Sequence, residues 1–128
     1  MTKNSLEIIE LTSASASMLS EKLSKESKEY LKYFIPFADY SENYIENILS
    51  KRKRDKYFGL FYNDELAGFY MLRGFDEGYD IPSYGVWISS EYPNKGLSTL
   101  TLYHAFSFCK LNKIKTLMLK VHPDNLVA

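Results

Sequence analysis

The sequence contains few of the residues on which thiol and metal chemistry depend. It has one cysteine and two histidines in 128 residues. A single cysteine cannot form an internal disulfide bond, which fits a reducing compartment. The spacing of Cys109, His104 and His122 matches no metal site, so we expect no bound metal. In a largely apolar segment such as the one that holds Cys109 and His104, packing is the ordinary role of these side chains.

The sequence also lacks net charge and long apolar runs. Its 16 basic residues are balanced by 16 acidic ones, so no overall field would steer it to nucleic acid or to an anionic membrane. No apolar run approaches the roughly 18 residues of a membrane span, and residues 1–7 lack the apolar centre of a secretory signal. We therefore expect a cytoplasmic protein. The one basic cluster, residues 51–56, is interpreted as the solvated last turn of a helix, and the alternative is a patch that binds nucleic acid or phosphate.

Aromatic residues, in contrast, are abundant. The chain has 11 tyrosines and 8 phenylalanines, which predicts aromatic packing or a pocket lined by aromatic rings. Hydrophobic residues make up 45% of the chain and charged residues 25%, as in ordinary globular proteins. The length allows one domain with a moderate core.

The first part of the chain predicts a strand followed by two helices. Residues 5–11 form a short, β-branched segment typical of a strand. Thr12 or Ser13 can cap a helix that ends near Leu23, and Ser41 can cap a second one. The apolar face of the second helix consists of Tyr44, Ile45, Ile48 and Leu49.

The second part predicts a mostly antiparallel sheet and a long helix. The expected elements are strands 57–62, 66–73 and 83–88, helix 97–111 and strand 114–121, with a turn and the start of another helix after it. The first two strands form a hairpin. Because a helix connects the last two strands, these are expected to be parallel. No charged residue occurs from Gly96 to Cys109, which predicts a helix buried on nearly all sides.

The turn between strand 83–88 and helix 97–111 is the most informative segment. It carries Asn94, Lys95 and Gly96 immediately before the helix. Such a turn can present several free backbone N–H groups at a helix N-terminus, which is a suitable site for a phosphate. No Gly-x-Ser-x-Gly elbow and no Walker-type phosphate loop occurs in the sequence.

The order of these elements and the segment Pro93-Asn94-Lys95-Gly96-Leu97-Ser98 resemble the GNAT family of N-acetyltransferases. The family signature is Gln/Arg-x-x-Gly-x-Gly/Ala, in which Gly96 matches the glycine and Ser98 is a small residue at the last position. Pro93 departs from the signature, where the family has Gln or Arg. The resemblance covers roughly residues 5–128, about two-thirds of such a domain. It implies an α+β fold with helices on both faces of a mixed, mostly antiparallel sheet, in a single domain (residues 1–128) that lacks the C-terminal strands.

The resemblance also implies acetyl-CoA as the acyl donor. The backbone N–H groups of residues 94–99 would bind its pyrophosphate, with Lys95 as a nearby cation, and the end of strand 83–88 together with Asn125 would bind the pantetheine arm. The cofactor-binding residues implied in this way are Trp87, Ile88, Ser89, Asn94, Lys95, Gly96, Leu97, Ser98, Thr99 and Asn125. The tyrosine that protonates the thiolate in the family would lie beyond Ala128, so no catalytic residue is assigned.

We therefore expect an acetyl-CoA-dependent N-acetyltransferase that acts on a primary amine of a small molecule or a peptide. The alternative is a non-catalytic domain of the same fold that binds coenzyme A or a partner protein, and Pro93 favours it. His122 is a candidate proton acceptor, and Asp76, Glu77 and Asp80 are candidates for lining an amine site. An open sheet edge predicts a homo-oligomer. Binding to nucleic acid or to a membrane is not expected.

Overall fold

A five-stranded sheet with helices on both faces organises the chain. The computed structural model describes residues 4–32, 34, 36–93 and 95–119. The elements are β1 (Leu6–Glu10), α1 (Ala16–Ser24), α2 (Glu42–Lys51), β2 (Lys56–Tyr62), β3 (Glu65–Arg73), β4 (Ser83–Ile88), α3 (Leu97–Leu111) and β5 (Met118–Leu119), with short 3-10 turns at Ser13–Ser15 and Phe75–Glu77. The turn and helix predicted after residue 121 lie outside the described residues.

The strands lie in the order β1-β2-β3-β4-β5. The first four pair as antiparallel neighbours, and β5 pairs with β4 in parallel, so the predicted mixed sheet is confirmed. The β2–β3 hairpin turns at Asn63 and Asp64, whose φ angles are 50° and 71°. Two consecutive residues with positive φ are typical of a type I′ turn, which suits the twist of an antiparallel hairpin.

Each face of the sheet carries its own core. Phe69 and Met71 of β3 belong to the cluster that packs against α1 and α2, whereas Tyr70 and Leu72 belong to the cluster under α3. This alternation follows from the two-residue period of a strand. Because β3 is buried on both faces, it is the central strand that fixes the positions of the helices on either side.

The prediction that α3 is buried on nearly all sides is wrong. Thr101, Ala105 and Cys109 face the sheet and are buried. The opposite side of the helix is apolar but exposed, with Tyr103 66% and Phe106 41% accessible. A lack of charge therefore did not indicate burial here, because the described chain places no further layer over this side.

The start of the last strand also differs from the prediction. The strand was expected from residue 114, but β5 begins at Met118. Lys113 adopts a positive φ of 59°, and the Ile114 N–H donates to the Cys109 carbonyl (2.8 Å), so the chain is still leaving α3 at this point. Ile114 and Leu117 then pack into the cluster under α3 instead of pairing with β4.

The basic cluster at residues 51–56 has structural contacts. The Arg52 guanidinium donates to the Leu11 carbonyl (2.7 Å) and pairs with the Glu10 carboxylate (3.2 Å), which ties the end of α2 to β1. The Asp76 carboxylate accepts from the backbone N–H groups of Lys53 and Arg54 (2.9 and 2.6 Å). The interpretation of the cluster as the last turn of a helix therefore holds only for Lys51. Arg52 already has an extended backbone, and Lys56 begins β2, so the cluster connects α2 to β2.

Among the described residues, no helix is both long and apolar enough to cross a membrane. They also contain no group of three or more histidine, cysteine, aspartate or glutamate side chains that could hold a metal ion.

Candidate functional site

The C-terminal end of β4 has backbone groups that face away from β3. The Ser89 N–H donates to the Ala67 carbonyl (2.8 Å), so these two residues form a hydrogen-bonded antiparallel pair. The next pair, Ile88 and Gly68, is then a non-hydrogen-bonded pair, and the backbone groups of Ile88 point to the opposite side. Trp87, one residue further, faces β3 again. Of the three residues predicted here, Ile88 alone directs its N–H and carbonyl towards the β5 side.

In the described chain, β5 does not reach this position. It pairs with β4 only at Ser83 and Tyr84, four residues before Ile88. The Met118 N–H donates to the Pro82 carbonyl (2.9 Å), so the even-numbered residues of β4 are the ones that face β5. The two strands are therefore paired at one end, and the β5 side of Ile88 has no strand partner among the described residues.

The turn from Ser89 to Gly96 is held by local hydrogen bonds and by the β2–β3 hairpin. The Tyr92 N–H donates to the Ser89 carbonyl (2.9 Å), and the Glu91 N–H donates to the Ser89 hydroxyl (3.2 Å). The Tyr92 ring meets the Tyr62 ring edge-on at 6.3 Å, and its hydroxyl donates to the Glu65 carboxylate (3.4 Å). The turn is thereby anchored on both sides of the hairpin loop.

Gly96 immediately precedes α3 and has a left-handed backbone conformation, with φ 75° and ψ 12°. Its carbonyl accepts the first helical hydrogen bond, from the Leu100 N–H (3.1 Å). No side chain caps the helix, and its first turn contains no acidic residue. The N–H groups of residues 97–99 therefore have no acceptor among the described residues, at the positive end of the helix dipole.

The first turn of α3 is fixed to β4 by a buried pair of hydroxyl groups. The Thr101 hydroxyl donates to the Ser98 carbonyl (2.8 Å) and lies 2.9 Å from the Tyr84 hydroxyl. Because Thr101 has one hydroxyl proton, Tyr84 is the donor of the second bond. Burial raises the pKa of Tyr84, so its hydroxyl stays protonated and remains a donor. The helix N-terminus is thus held in register with the strand that leads to it.

The segment between α1 and α2 covers the other face of β4. The Glu26 carboxylate accepts from the Trp87 indole N–H (3.0 Å) and from the backbone N–H and the hydroxyl of Ser90 (3.0 and 2.5 Å). The Tyr30 hydroxyl donates to the Ile88 carbonyl (2.6 Å). Glu26 and Tyr30 were missed by sequence reasoning, because contacts between residues 58 to 64 positions apart leave no local signal.

The structure describes some of the other predicted cofactor residues but not all of them. Lys95 is exposed next to the start of α3, and residues 97–99 form its first turn. Asn94, His122 and Asn125 lie outside the described residues, so their roles stay predictions.

The other candidate side chains, those of His104, Cys109 and Asp76, make contacts that stabilise the fold. The His104 ring nitrogen Nδ1 lies 2.6 Å from the hydroxyl of the buried Tyr70, as expected for a packed, hydrogen-bonded histidine. Desolvation lowers the pKa of His104. Cys109 is buried, and burial raises the pKa of its thiol, which disfavours the reactive thiolate. Asp76 lies before the start of β4, far along the strand from Ile88, and the Lys53 N–H that donates to its carboxylate helps to lower its pKa.

Solved structures with the same fold are numerous. This chain is similar to a ribosomal-protein-S5-alanine acetyltransferase from Vibrio fischeri (14% identity, TM-score 0.78, covering 98% of this chain and 75% of that one). It is also similar to the PaiA N-acetyltransferase from Thermoplasma acidophilum in complex with coenzyme A (23%, 0.72, 96% and 83%). A ribosomal L7/L12 α-N-protein acetyltransferase in complex with coenzyme A matches with 16% identity and a TM-score of 0.76, over 98% of this chain and 75% of that one.

At such low identities these structures establish the fold alone. No curated protein matches the chain in sequence. The sequence profile of the acetyltransferase (GNAT) family matches residues 20–128, which include β4, the turn before α3 and the helix itself. This chain therefore belongs to the GNAT acetyltransferase family.

Proposed function

We propose that this chain is an acetyl-CoA-dependent N-acetyltransferase that transfers the acetyl group directly from the thioester to a primary amine. The observation that supports it most is that Ile88 has no strand partner on its β5 side among the described residues, and that the turn after it leads to the uncapped N-terminus of α3. Ile88 offers a backbone donor and acceptor, and the start of α3 offers N–H groups. A pantetheine arm followed by a pyrophosphate requires these two kinds of partner in this order.

The pyrophosphate would bind at the start of α3. The N–H groups of residues 97–99 point out of an exposed helix end whose dipole favours negative charge. Gly96 allows the backbone to enter the helix without a side chain between the N–H groups and the ligand. Lys95 adds a positive charge at the same place. Backbone donors bind phosphate oxygens whatever the rest of the ligand is, so the pantetheine contacts supply the specificity.

The pantetheine arm would bind along the β5 side of β4. Its amide groups can pair with the N–H and carbonyl of Ile88, which face away from β3. The residues of β4 that face the same way are Val86 and Tyr84, and Tyr84 is next to β5. The thioester would then lie where the two strands diverge, and a backbone N–H there can stabilise the oxyanion of the tetrahedral intermediate.

Transfer forms a C–N bond and breaks the C–S bond of the thioester. The attacking amine must first be neutral, because an ammonium group has no lone pair. A proton leaves the amine during the reaction, and the departing thiolate gains one. Cys109 is not proposed as a covalent intermediate, since it is buried under α3 with a raised thiol pKa. The amine belongs to a small molecule or a peptide, and its groups for proton transfer are not assigned.

Two measurements test this proposal. Isothermal titration calorimetry with acetyl-CoA should give saturable binding, and a complete lack of heat and of thermal shift at millimolar ligand would contradict it. Release of free thiol from acetyl-CoA, measured with a panel of primary amines, should then depend on the amine. The matched control is the same panel with N-methylated tertiary amines, which cannot give a stable amide product.

A second candidate is a domain of the same fold that binds coenzyme A or a partner protein without catalysis. Pro93 favours it, because proline has no backbone N–H to offer a phosphate and the family has a polar Gln or Arg at this position. Saturable binding of acetyl-CoA without amine-dependent thiol release would support this candidate against the first.

We also propose that the protein forms a homo-oligomer. The exposed apolar side of α3 supports this, together with the position of β5 at the edge of the described sheet. Exposed apolar patches and open strands are both common at contacts between chains.

A further inference from the structure

The carbonyl of Ile88 already has a hydrogen-bond partner in this structure. The Tyr30 hydroxyl donates to it over 2.6 Å, from a side chain that is 44% exposed. The register of β4 directs this carbonyl to the side that β5 would otherwise pair with. Tyr30 therefore occupies the backbone acceptor that the proposed function assigns to a pantetheine amide.

Tyr30 is held at this position by contacts on either side of it in the chain. Glu26 precedes it by four residues and accepts three hydrogen bonds from Trp87 and Ser90. Phe34 follows it by four residues and covers Gly85, where an added Cβ would lie 2.7 Å from the ring. Leu31, next to Tyr30, is buried. The segment lies along β4 from Ser90 to Gly85, so the tyrosine hydroxyl is brought to Ile88 by anchors that do not depend on it.

The Tyr30 contact is the easiest of these to break. The other anchors are a half-buried carboxylate with three donors, a ring packed against a glycine and a buried leucine. The Tyr30 hydroxyl, in contrast, makes one neutral hydrogen bond at the surface. Such a bond changes an equilibrium constant by only about three- to tenfold, because water can replace it. Burial, followed by the charge of Glu26, raises the pKa of Tyr30, so the hydroxyl remains a proton donor at neutral pH.

We propose that the Tyr30 hydroxyl competes with the pantetheine arm of acetyl-CoA for the Ile88 carbonyl, and that it leaves this carbonyl when the cofactor binds. This inference rests on the proposed function. Cofactor binding then includes the loss of the Tyr30 bond, which lowers the affinity of the free protein. It also frees the tyrosine side chain beside the cofactor.

The test compares Tyr30→Phe with the unmodified protein by calorimetry. The variant keeps the ring and loses the hydroxyl, so Kd for coenzyme A should fall by about three- to tenfold. The 3′-phosphorylated ADP half of coenzyme A, which has no pantetheine arm, should bind both proteins equally. Tyr79→Phe is the matched control: Tyr79 is 62% exposed in the turn before β4, and its variant should bind coenzyme A like the unmodified protein.

The possible results separate this inference from the proposed function. Unchanged or weaker binding of coenzyme A by Tyr30→Phe would overturn the competition, since the hydroxyl would then be neutral towards the cofactor or would help to hold it. An equal gain with the nucleotide half would also overturn it, because the effect would not involve the pantetheine arm. If neither protein binds coenzyme A, both proposals fail, whereas a failure of the competition alone leaves acetyl-CoA binding intact.

Discussion

Gly96 is the residue whose backbone conformation the candidate site requires most directly. Its φ of 75° lies in the left-handed region, and nothing lies within 4 Å of an added Cβ. Alanine at this position would therefore be strained by its own backbone and not by a neighbour. Relief of that strain would change the direction of the first N–H groups of α3, which the proposed phosphate site uses.

We expect Gly96→Ala to lower the free energy of unfolding by about 1 kcal/mol and to raise Kd for acetyl-CoA by roughly tenfold. Gly78→Ala is a matched control, since Gly78 also has a positive φ (96°) and open space around it, but lies in the turn after β3. Its variant should lose similar stability and keep its affinity. Urea unfolding and calorimetry measure the two quantities, and equal affinities for both variants would contradict the role of Gly96.

His104 makes stability depend on pH. Desolvation lowers its pKa, and its ring meets Phe58 edge-on at 5.1 Å while Nδ1 bonds to Tyr70. The folded state therefore prefers the neutral ring. The unfolded chain takes up a proton near the ordinary pKa of about 6.5, so the contribution of His104 is complete above that pH and is lost as the pH falls below it.

The corresponding measurement is the free energy of unfolding from pH 7.5 down to pH 5. The unmodified protein should lose stability more steeply over this interval than His104→Gln, which cannot take up the proton. Asp55, whose pKa is raised chiefly by desolvation, is present in both proteins and cancels in the comparison. Parallel curves for the two proteins would show that His104 titrates alike in the folded and unfolded states.

At the scale of elements, the sequence predicted what local pattern determines. The aromatic strands on either side of Asn63 and Asp64 predicted the β2–β3 hairpin, and the Gly-bearing turn predicted where α3 begins. The exposed side of α3 could not be predicted in this way, because it depends on whether another layer lies over the helix. The late start of β5 depends on Ile114 and Leu117, which pack under α3. The contacts of Glu26 and Tyr30 with the end of β4 depend on two segments that meet only in the folded chain.

The approach of β4 to β3 depends on Gly68. An added Cβ there would lie 2.6 Å from the Trp87 carbonyl oxygen and 3.2 Å from the Ile88 Cα, both of which are backbone atoms. The two strands would have to separate at the end of β4 that carries the proposed pantetheine contacts. We expect Gly68→Ala to lower the free energy of unfolding by about 1–3 kcal/mol and to weaken acetyl-CoA binding.

Gly59→Ala provides the comparison for this strand. An added Cβ at Gly59 would also be close, 2.7 Å from the Leu11 Cδ2 and 2.8 Å from the Phe61 ring, but these are side-chain atoms that can rotate. Its variant should lose less stability in urea unfolding, and its affinity for acetyl-CoA should not change because β2 is two strands from β4. A Gly68→Ala protein with unchanged affinity would mean that the spacing of β3 and β4 does not control the site.

At the scale of the whole molecule, the two faces of the sheet differ in how they are covered. The face under α1 and α2 has two helices and the segment that joins them. The other face is covered by α3, whose outer side is exposed in the described part of the chain. That outer side carries Tyr103 and Phe106, whose rings meet edge-on at 6.5 Å, and Leu111 at 83% exposure. Association of two copies through these side chains would remove apolar surface from water. Lys110, four residues after Phe106, is the exposed charged side chain nearest to this contact along α3.

Replacing two of these residues together tests the proposed homo-oligomer. Tyr103→Lys combined with Phe106→Glu leaves the net charge unchanged and places opposite charges on the exposed side. Since both side chains face solvent, the free energy of unfolding measured at low protein concentration should change by no more than about 0.5 kcal/mol. Light scattering should give a multiple of the chain mass for the unmodified protein and a single chain mass for the double variant. Tyr79→Lys, which replaces an equally exposed tyrosine elsewhere, should keep the larger mass. A single chain mass for the unmodified protein would overturn the homo-oligomer, and a larger mass for the double variant would exclude this side of α3 as the contact.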